Sequence, residues 1–321
     1  MPADAVTTSA PAPPRAPTRP ATRRTLRSLL VGLIVATRPK QWLKSVLVPA
    51  APAAAGMLGN VTVLWQTAVA VVTFTACAAG GYLVNDAADV EQDRRHPKKR
   101  YRPIAAGIVP VQLARIVGIT LIVVATVLGG VFTHWQLSVA LIAYVVVTLT
   151  YSTWFKHVAV VELMMVAAGF LLRPIAGAAA THIPLSQWFL LVASFGSLYM
   201  VIGKRYAEVV GLGEDAADHR KILGEYPAAY LRQSREICAS VTLLAYCLWA
   251  FERSADAGPA VGPWSQLSII PFTFGIFRYG LLLERGQGGA PEDVVLEDRP
   301  LLMAGAAWLL LFGLGLAKVH L

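Results

Sequence analysis

The chain has 321 residues, of which 56% are apolar and 15% charged, with a mean hydropathy of +0.56. A water-soluble domain is nearer a quarter charged, so a soluble enzyme is excluded and a polytopic membrane protein is indicated. Lysine and arginine number 28 against 19 acids, a net charge of +9; the cations lie in short loops between apolar spans, which suits topology, anionic headgroups or an anionic substrate and not nucleic acid.

Residues 1–22, rich in Pro, Ala, Thr and Arg without an apolar run, read as a disordered tail, leaving 23–321 as one polytopic catalytic domain. The stretch Thr25–Thr37 resembles the core of a signal peptide, but Arg38, Pro39 and Lys40 stand where a small-residue cleavage site belongs. An amphipathic helix on the cytoplasmic surface is expected instead, too short to span. Nine transmembrane helices follow, near 42–58, 62–84, 112–132, 135–153, 158–178, 187–203, 234–252, 266–283 and 301–319, each near the length of about 20 residues that a bilayer requires. Lys44, Pro49 and Pro52 interrupt the first. Cys77, Cys238 and Cys247 all fall inside apolar segments and read as small buried hydrophobes.

Loops after spans two, four, six and eight carry Arg94 to Arg102, Lys156, Lys204 to Lys221, and Arg285 with Arg299; the others are nearly free of Lys and Arg, Arg253 excepted. This asymmetry puts the N-terminus and the even-numbered loops in the cytoplasm and the C-terminus outside an inner membrane. The two long loops, 85–111 and 204–233, are four spans apart. Two four-helix halves plus one extra helix would bring both to a shared cavity open to the cytoplasm.

Polar residues gather at those loops. Lys40 opens span one. The exit from span two reads Asn85-Asp86-Ala87-Ala88-Asp89-Val90-Glu91-Gln92-Asp93, and a continuing helix places Asp86, Asp89 and Asp93 on one face. Stacked carboxylates repel, and a divalent cation removes that penalty; hard oxygen ligands specify Mg²⁺ that keeps waters and bridges to substrate phosphate. Arg94, Arg95, His96, Lys98, Lys99, Arg100 and Arg102 follow at once, and a metal beside several cations is the arrangement diphosphate chemistry requires. Tyr151 and Lys156 lie where span four meets the cytoplasm. Glu162 and Arg173 are intramembrane, on one side of span five, about 16 Å apart along an ideal helix; charges inside a membrane face the bundle interior and mark function. After span six the chain reads Gly203-Lys204-Arg205-Tyr206-Ala207-Glu208.

The N-D-x-x-D-x-x-x-D pattern of Asn85–Asp93 resembles the signature of the intramembrane prenyltransferase superfamily typified by 4-hydroxybenzoate polyprenyltransferase. The resemblance covers residues 38–319 and implies an all-α bundle of nine helices. In that superfamily a second motif, D-x-x-x-D, follows span six and binds another Mg²⁺; here Lys204 and Arg205 stand in its place, with Glu208 as the sole carboxylate in that turn. With Arg38-Pro39-Lys40-Gln41-Trp42, His96-Pro97, Lys99, Arg102-Pro103-Ile104, Gly169-Phe170, Leu172-Arg173 and Gly203-Lys204-Arg205-Tyr206, this departure makes the chain look like the superfamily's decaprenyl-phosphate phosphoribosyltransferase branch.

That resemblance implies Mg²⁺-dependent transfer of phosphoribose from phosphoribosyl pyrophosphate to a polyprenyl phosphate, supplying arabinan precursors for a bacterial cell wall. Asp86, Asp89 and Asp93, aided by Asn85, would hold Mg²⁺ on the leaving pyrophosphate. Lys40, Lys156, Lys204 and Arg205 would neutralise pyrophosphate and the 5-phosphate, with Arg95, Lys99, Arg102 and Tyr151 as further substrate contacts. Arg173 is the candidate for the acceptor phosphate; Glu162 lines the cavity, and Glu208 is a candidate for metal, a ribose hydroxyl or lysine orientation. No general base is nominated, because the lipid phosphate is already an anion. The rivals are an aromatic prenyltransferase using a polyprenyl diphosphate, and a transporter, which acids at a loop mouth and not along a midplane path disfavour. Membrane lipids surround the chain, and its apolar exterior suits a homo-oligomer.

Overall fold

The computed structural model describes residues 25–213, 221–257, 263–287, 294 and 296–317. The N-terminal tail, Asp215, Asp218, His219, Arg220 and the C-terminal Leu321 lie outside these. Among the described residues all regular structure is helical. Helix α1 (Leu26–Ala36) begins at a capping box between Thr25 and Ser28 and exposes Leu26, Leu30, Ile34 and Val35. Seven helices are long and apolar enough to cross a membrane: α4 (Val61–Ala88), α6 (Val111–Phe132), α7 (Trp135–Thr153), α8 (Val161–Thr181), α9 (Gln187–Leu212), the segment Trp264–Glu284 made of α11 (Trp264–Leu267) and α12 (Ile269–Glu284), and α13 (Arg299–Ala317). Helix α10 (Ala228–Ala257) is longer than any of them, but Arg232, Arg235, Glu236, Glu252 and Arg253 keep it out of that set.

The segment expected as span one is not a continuous helix. It forms α2 (Pro39–Trp42), a 3₁₀ turn over Leu43–Leu47, α3 (Ala50–Ala54) and a second 3₁₀ turn over Met57–Gly59. Pro49 and Pro52 supply no N–H to a helical ladder, and Gly56 turns the chain at φ 75°. The segment nevertheless runs the height of the bundle. Arg38 meets Asp86 near one end of α4, while Asn60 caps the other end by accepting the N–H groups of Thr62 and Val63; those ends are about 37 Å apart at 1.5 Å per residue. Val48 is fully buried, and Gly177 of α8 lies so close to its carbonyl that any Cβ there would collide with it.

Two packed groups share α8. One core joins α4, α6, α7 and α8 through Phe74, Cys77, Leu141, Tyr144 and Ala176; the other joins α8, α9, α10, α12 and α13 through Leu163, Tyr199, Ile202, Leu231 and Leu283. Helices α4 and α6 touch backbone to backbone: a Cβ on Gly80 would lie 2.5 Å from the Gly118 carbonyl. The two ends of the bundle differ. One gathers Asp86, Asp93, Glu162, Arg205 and Glu284, while near the other Tyr246, Trp249, Phe272, Trp308 and Phe312 stack on one another.

Candidate active site

At the charged end α4 stops at Asp89, whose backbone (φ −88°, ψ 9°) leaves the helical region before α5 (Val90–Arg95) begins. The expectation of one continuous helix carrying three stacked carboxylates is corrected here. A short acidic side chain favours a helix end over an interior, and the break falls at Asp89, which is half-buried. Asp86 and Asp93 are both buried, and they converge on Arg102: its Nη1 lies 3.1 Å from Asp86 Oδ1 and 2.8 Å from Asp93 Oδ2. Arg38 Nη2 donates to the same Asp86 oxygen at 2.6 Å, and its guanidinium lies 4.7 Å from the Tyr82 ring centre. Asn85 turns away from the acids and donates to Ser152 Oγ at 3.0 Å.

Among the described residues no group of three or more His, Cys, Asp and Glu side chains is placed to hold a metal. The pair Asp86–Asp93 still fits Mg²⁺, which is ordinarily bound by one or two carboxylates together with substrate phosphates and waters. One cationic nitrogen already bridges the two carboxylates, so their oxygens point at a common positive centre.

A second centre lies at the start of α8. Val160 precedes the helix at φ 65°, a conformation that β-branched residues rarely adopt. The Tyr226 hydroxyl accepts its N–H at 2.8 Å, and burial pushes that phenol above its ordinary pKa range, so it stays neutral. Two residues on, Glu162 is completely buried and holds Arg205 of α9 through two bonds: Nε to Oε1 at 2.8 Å and Nη2 to Oε2 at 2.9 Å. Arg205 Nη1 donates to Glu208 at 2.7 Å. A buried carboxylate without a cation is costly, and Arg205 bonds Glu162 and Glu208 through one N–H on each of its three nitrogens. Tyr151, beside Ser152 at the end of α7, interacts electrostatically with Arg205, which brings the two centres to one mouth.

Arg173 sits deeper, boxed by Phe74, Tyr144 and Phe170 at 5.2, 5.3 and 5.3 Å from its guanidinium carbon. It donates to the Gly169 carbonyl, and its buried Nε has no partner. Of the remaining expected contacts, Lys156 and Glu208 are half-buried at the mouth, while Lys40, Arg95, Lys99 and Lys204 are exposed. The sequence reading missed Arg38, preferring its neighbour Lys40. It also missed Glu284, which accepts from Tyr206 at 2.7 Å and from Arg235 at 2.6 Å behind the second centre. The signals were the Arg-Pro pair at 38–39 and two arginines one turn apart at the start of α10.

Among the described residues the chain is thus an all-helical bundle, apolar along its spans, with two acid–arginine centres at one end. Residues 46–290 match the UbiA prenyltransferase family, and the chain belongs to it. It is 44% identical over 289 residues to the decaprenyl-phosphate phosphoribosyltransferase of Corynebacterium glutamicum, covering 89% of this chain and 87% of that one. Its identity to the enzyme of the same name from Mycobacterium tuberculosis is also 44%, over 90% and 96% of the two chains. In fold it resembles a UbiA homologue from Archaeoglobus fulgidus, solved with DMAPP and Mg²⁺, at a TM-score of 0.64 and 16% identity over 90% of this chain and 99% of that one.

Proposed function

We propose that this protein transfers 5-phosphoribose from phosphoribosyl pyrophosphate to a decaprenyl (polyprenyl) phosphate. The observation that carries the reading is the 44% identity to decaprenyl-phosphate phosphoribosyltransferases across about nine-tenths of both chains. Donor and acceptor together bring three phosphate-bearing groups, about six to seven negative charges near neutral pH by ordinary phosphate ionisation. Arg38, Arg102, Lys156 and Lys204 around the mouth answer that charge.

The bond from ribose C1 to the pyrophosphate oxygen breaks, and a bond from C1 to an oxygen of the lipid phosphate forms. Bond breaking leads, through an oxocarbenium-like transition state. Pyrophosphate leaves with the electron pair. The attacking oxygen carries no proton, so no side chain is asked to remove one. Asp86, Asp89 and Asp93 would hold Mg²⁺, which would neutralise the charge of the leaving diphosphate when bound. Arg102 holds both Asp86 and Asp93 and lies next to the diphosphate, where charge-assisted donors are strongest. Lys204 and Lys156 face the 5-phosphate. Arg205 acts at one remove, fixing Glu162 and aiming Glu208 at the ribose hydroxyls. Arg173, with a free buried N–H, and Arg38 are assigned to the anionic oxygens of the acceptor phosphate.

The broken segment 39–60 and α10 complete the seven apolar helices to nine crossings, with the charged end cytoplasmic, the C-terminus outside an inner membrane, and cell-wall arabinan precursor supply as the role. Membranes carrying the protein, given radiolabelled phosphoribosyl pyrophosphate, Mg²⁺ and decaprenyl phosphate, are expected to make a labelled lipid. Label absent from the lipid, with a polyprenyl diphosphate and an aromatic acceptor consumed instead, would overturn the reading.

A further inference from the structure

An apolar cleft of about 440 Å³ lies between α1, α4 and α6. Its floor is the small-residue face Thr75, Ala76 and Ala79 of α4, and Leu33 and Ile34 of α1 roof it. Helix α1 packs closely on one side, where a Cβ on Gly32 would meet Ile108 and Val109 at 2.9 and 3.0 Å. The small side chains of α4 do not fill the space left on the other side. Trp42 lies along the cleft with its indole N–H donated to the Thr37 carbonyl at 3.2 Å.

The two ends of the cleft are chemically different. One reaches Thr37 and Leu83; the residue after Thr37 is Arg38, 2.6 Å from Asp86, and Leu83 is one helical turn before that acid. The other reaches Val72, which is 67% exposed on a helix that faces lipid. No charged side chain lines the cleft between these ends. It is an apolar groove about 16 Å long by helical rise, with Arg38 one residue beyond its lining at one end and exposed Val72 at the other. Its volume is in the lower part of the range for single-ligand sites. A single-chain lipid phosphate matches this shape and charge; a two-chain glycerolipid needs a wider opening and presents a diester, not a monoester, to Arg38 and Lys40.

We propose that the cleft holds the first isoprene units of the acceptor's polyprenyl chain, with its phosphate at Arg38 and the remaining tail leaving past Val72 into the bilayer. The proposal rests on the phosphoribosyl-transfer reading for the identity of the acceptor. Its test is photo-crosslinking of the full chain in nanodiscs with farnesyl phosphate bearing a diazirine on the first isoprene unit. Adducts are expected on α1 near Leu33–Thr37 or on α4 between Val72 and Leu83, protected by decaprenyl phosphate but not by phosphatidate. Adducts confined to α9 or α12 would overturn the proposal, and equal protection by phosphatidate would assign the cleft to bulk lipid. Independently, Ala76→Trp should raise the apparent KM for decaprenyl phosphate by about tenfold or more, equivalent to two methylenes denied burial, with the donor Kd unchanged; an unchanged acceptor KM counts against it. Binding is read without turnover, so protected adducts on the cleft in a protein that makes no phosphoribosyl lipid would leave the cleft standing and overturn the donor.

Discussion

Asp86 and Asp93 are held by arginines, and their removal has an expected signature. Asp86→Ala and Asp93→Ala should abolish turnover while the protein still inserts and purifies, and chelation by EDTA should mimic both. Asp89→Ala, which removes the third ligand, should do the same; wild-type rates in two of the three variants would overturn the metal assignment. Lys204 and Arg205 differ in their expected signatures. Exposed Lys204 is free to meet a phosphate, so Lys204→Ala should weaken donor binding by the roughly 1.5–3 kcal/mol of a charge-assisted contact, about tenfold to over a hundredfold in Kd, with thermal stability unchanged. Arg205→Ala strands the fully buried Glu162, and breaking a buried pair costs about 3–5 kcal/mol. Its signature is a lowered unfolding temperature in detergent, partly recovered in Arg205→Ala/Glu162→Gln. An Arg205→Ala protein of wild-type stability with a weakened donor Kd would return Arg205 to direct phosphate contact.

Among the helices, α1 was legible from its length and its flanking Arg-Pro-Lys, and the seven apolar crossings from hydropathy alone. The acid motif was legible as chemistry but not as geometry, because a helical register carries no information about a break imposed by one residue's φ and ψ. The pairing of Glu162 with Arg205 was hidden for another reason: the residues are 43 apart in sequence, and only the packing of α8 on α9 joins them. The start of α13 gives an element-level test outside the apolar spans. Asp298 accepts the Leu301 N–H at 2.9 Å and the Arg278 guanidinium at 2.7 and 3.2 Å. The hydrogen bond from Arg278 holds its carboxyl below the ordinary range. A depressed pKa means that the stabilisation is complete above the unfolded carboxyl's value and fades as pH falls through the lower folded one. Melting followed downward in pH should show that loss in wild type and not in Asp298→Asn. Asparagine keeps the cap without the charge.

For the molecule as a whole, the charged and aromatic ends predict sidedness. A cysteine at exposed Ala106 should react only with reagents reaching the cytoplasm, and one at exposed Gln187, at the far end of α9, only with reagents outside; the reverse would relocate the active site. The alternation of basic loops carries the expectation of sidedness, whereas it says nothing of the course of residues 39–60, since Pro49, Pro52 and Gly56 say where a helix stops and not where the chain goes next.

That course bears on how the protein comes to be built. Irregular backbone survives at membrane depth only where protein covers it, and the cover for Val48 is Gly177, made 129 residues later by the ribosome. Residues 39–60 therefore have no stable resting place when they first emerge. Their packing against α8 is expected to form only after α8 is synthesised. A methyl group at position 177 would meet the Val48 carbonyl, so Gly177→Ala is expected to leave this early-translated segment without its seat and to lower the yield of folded protein from membranes.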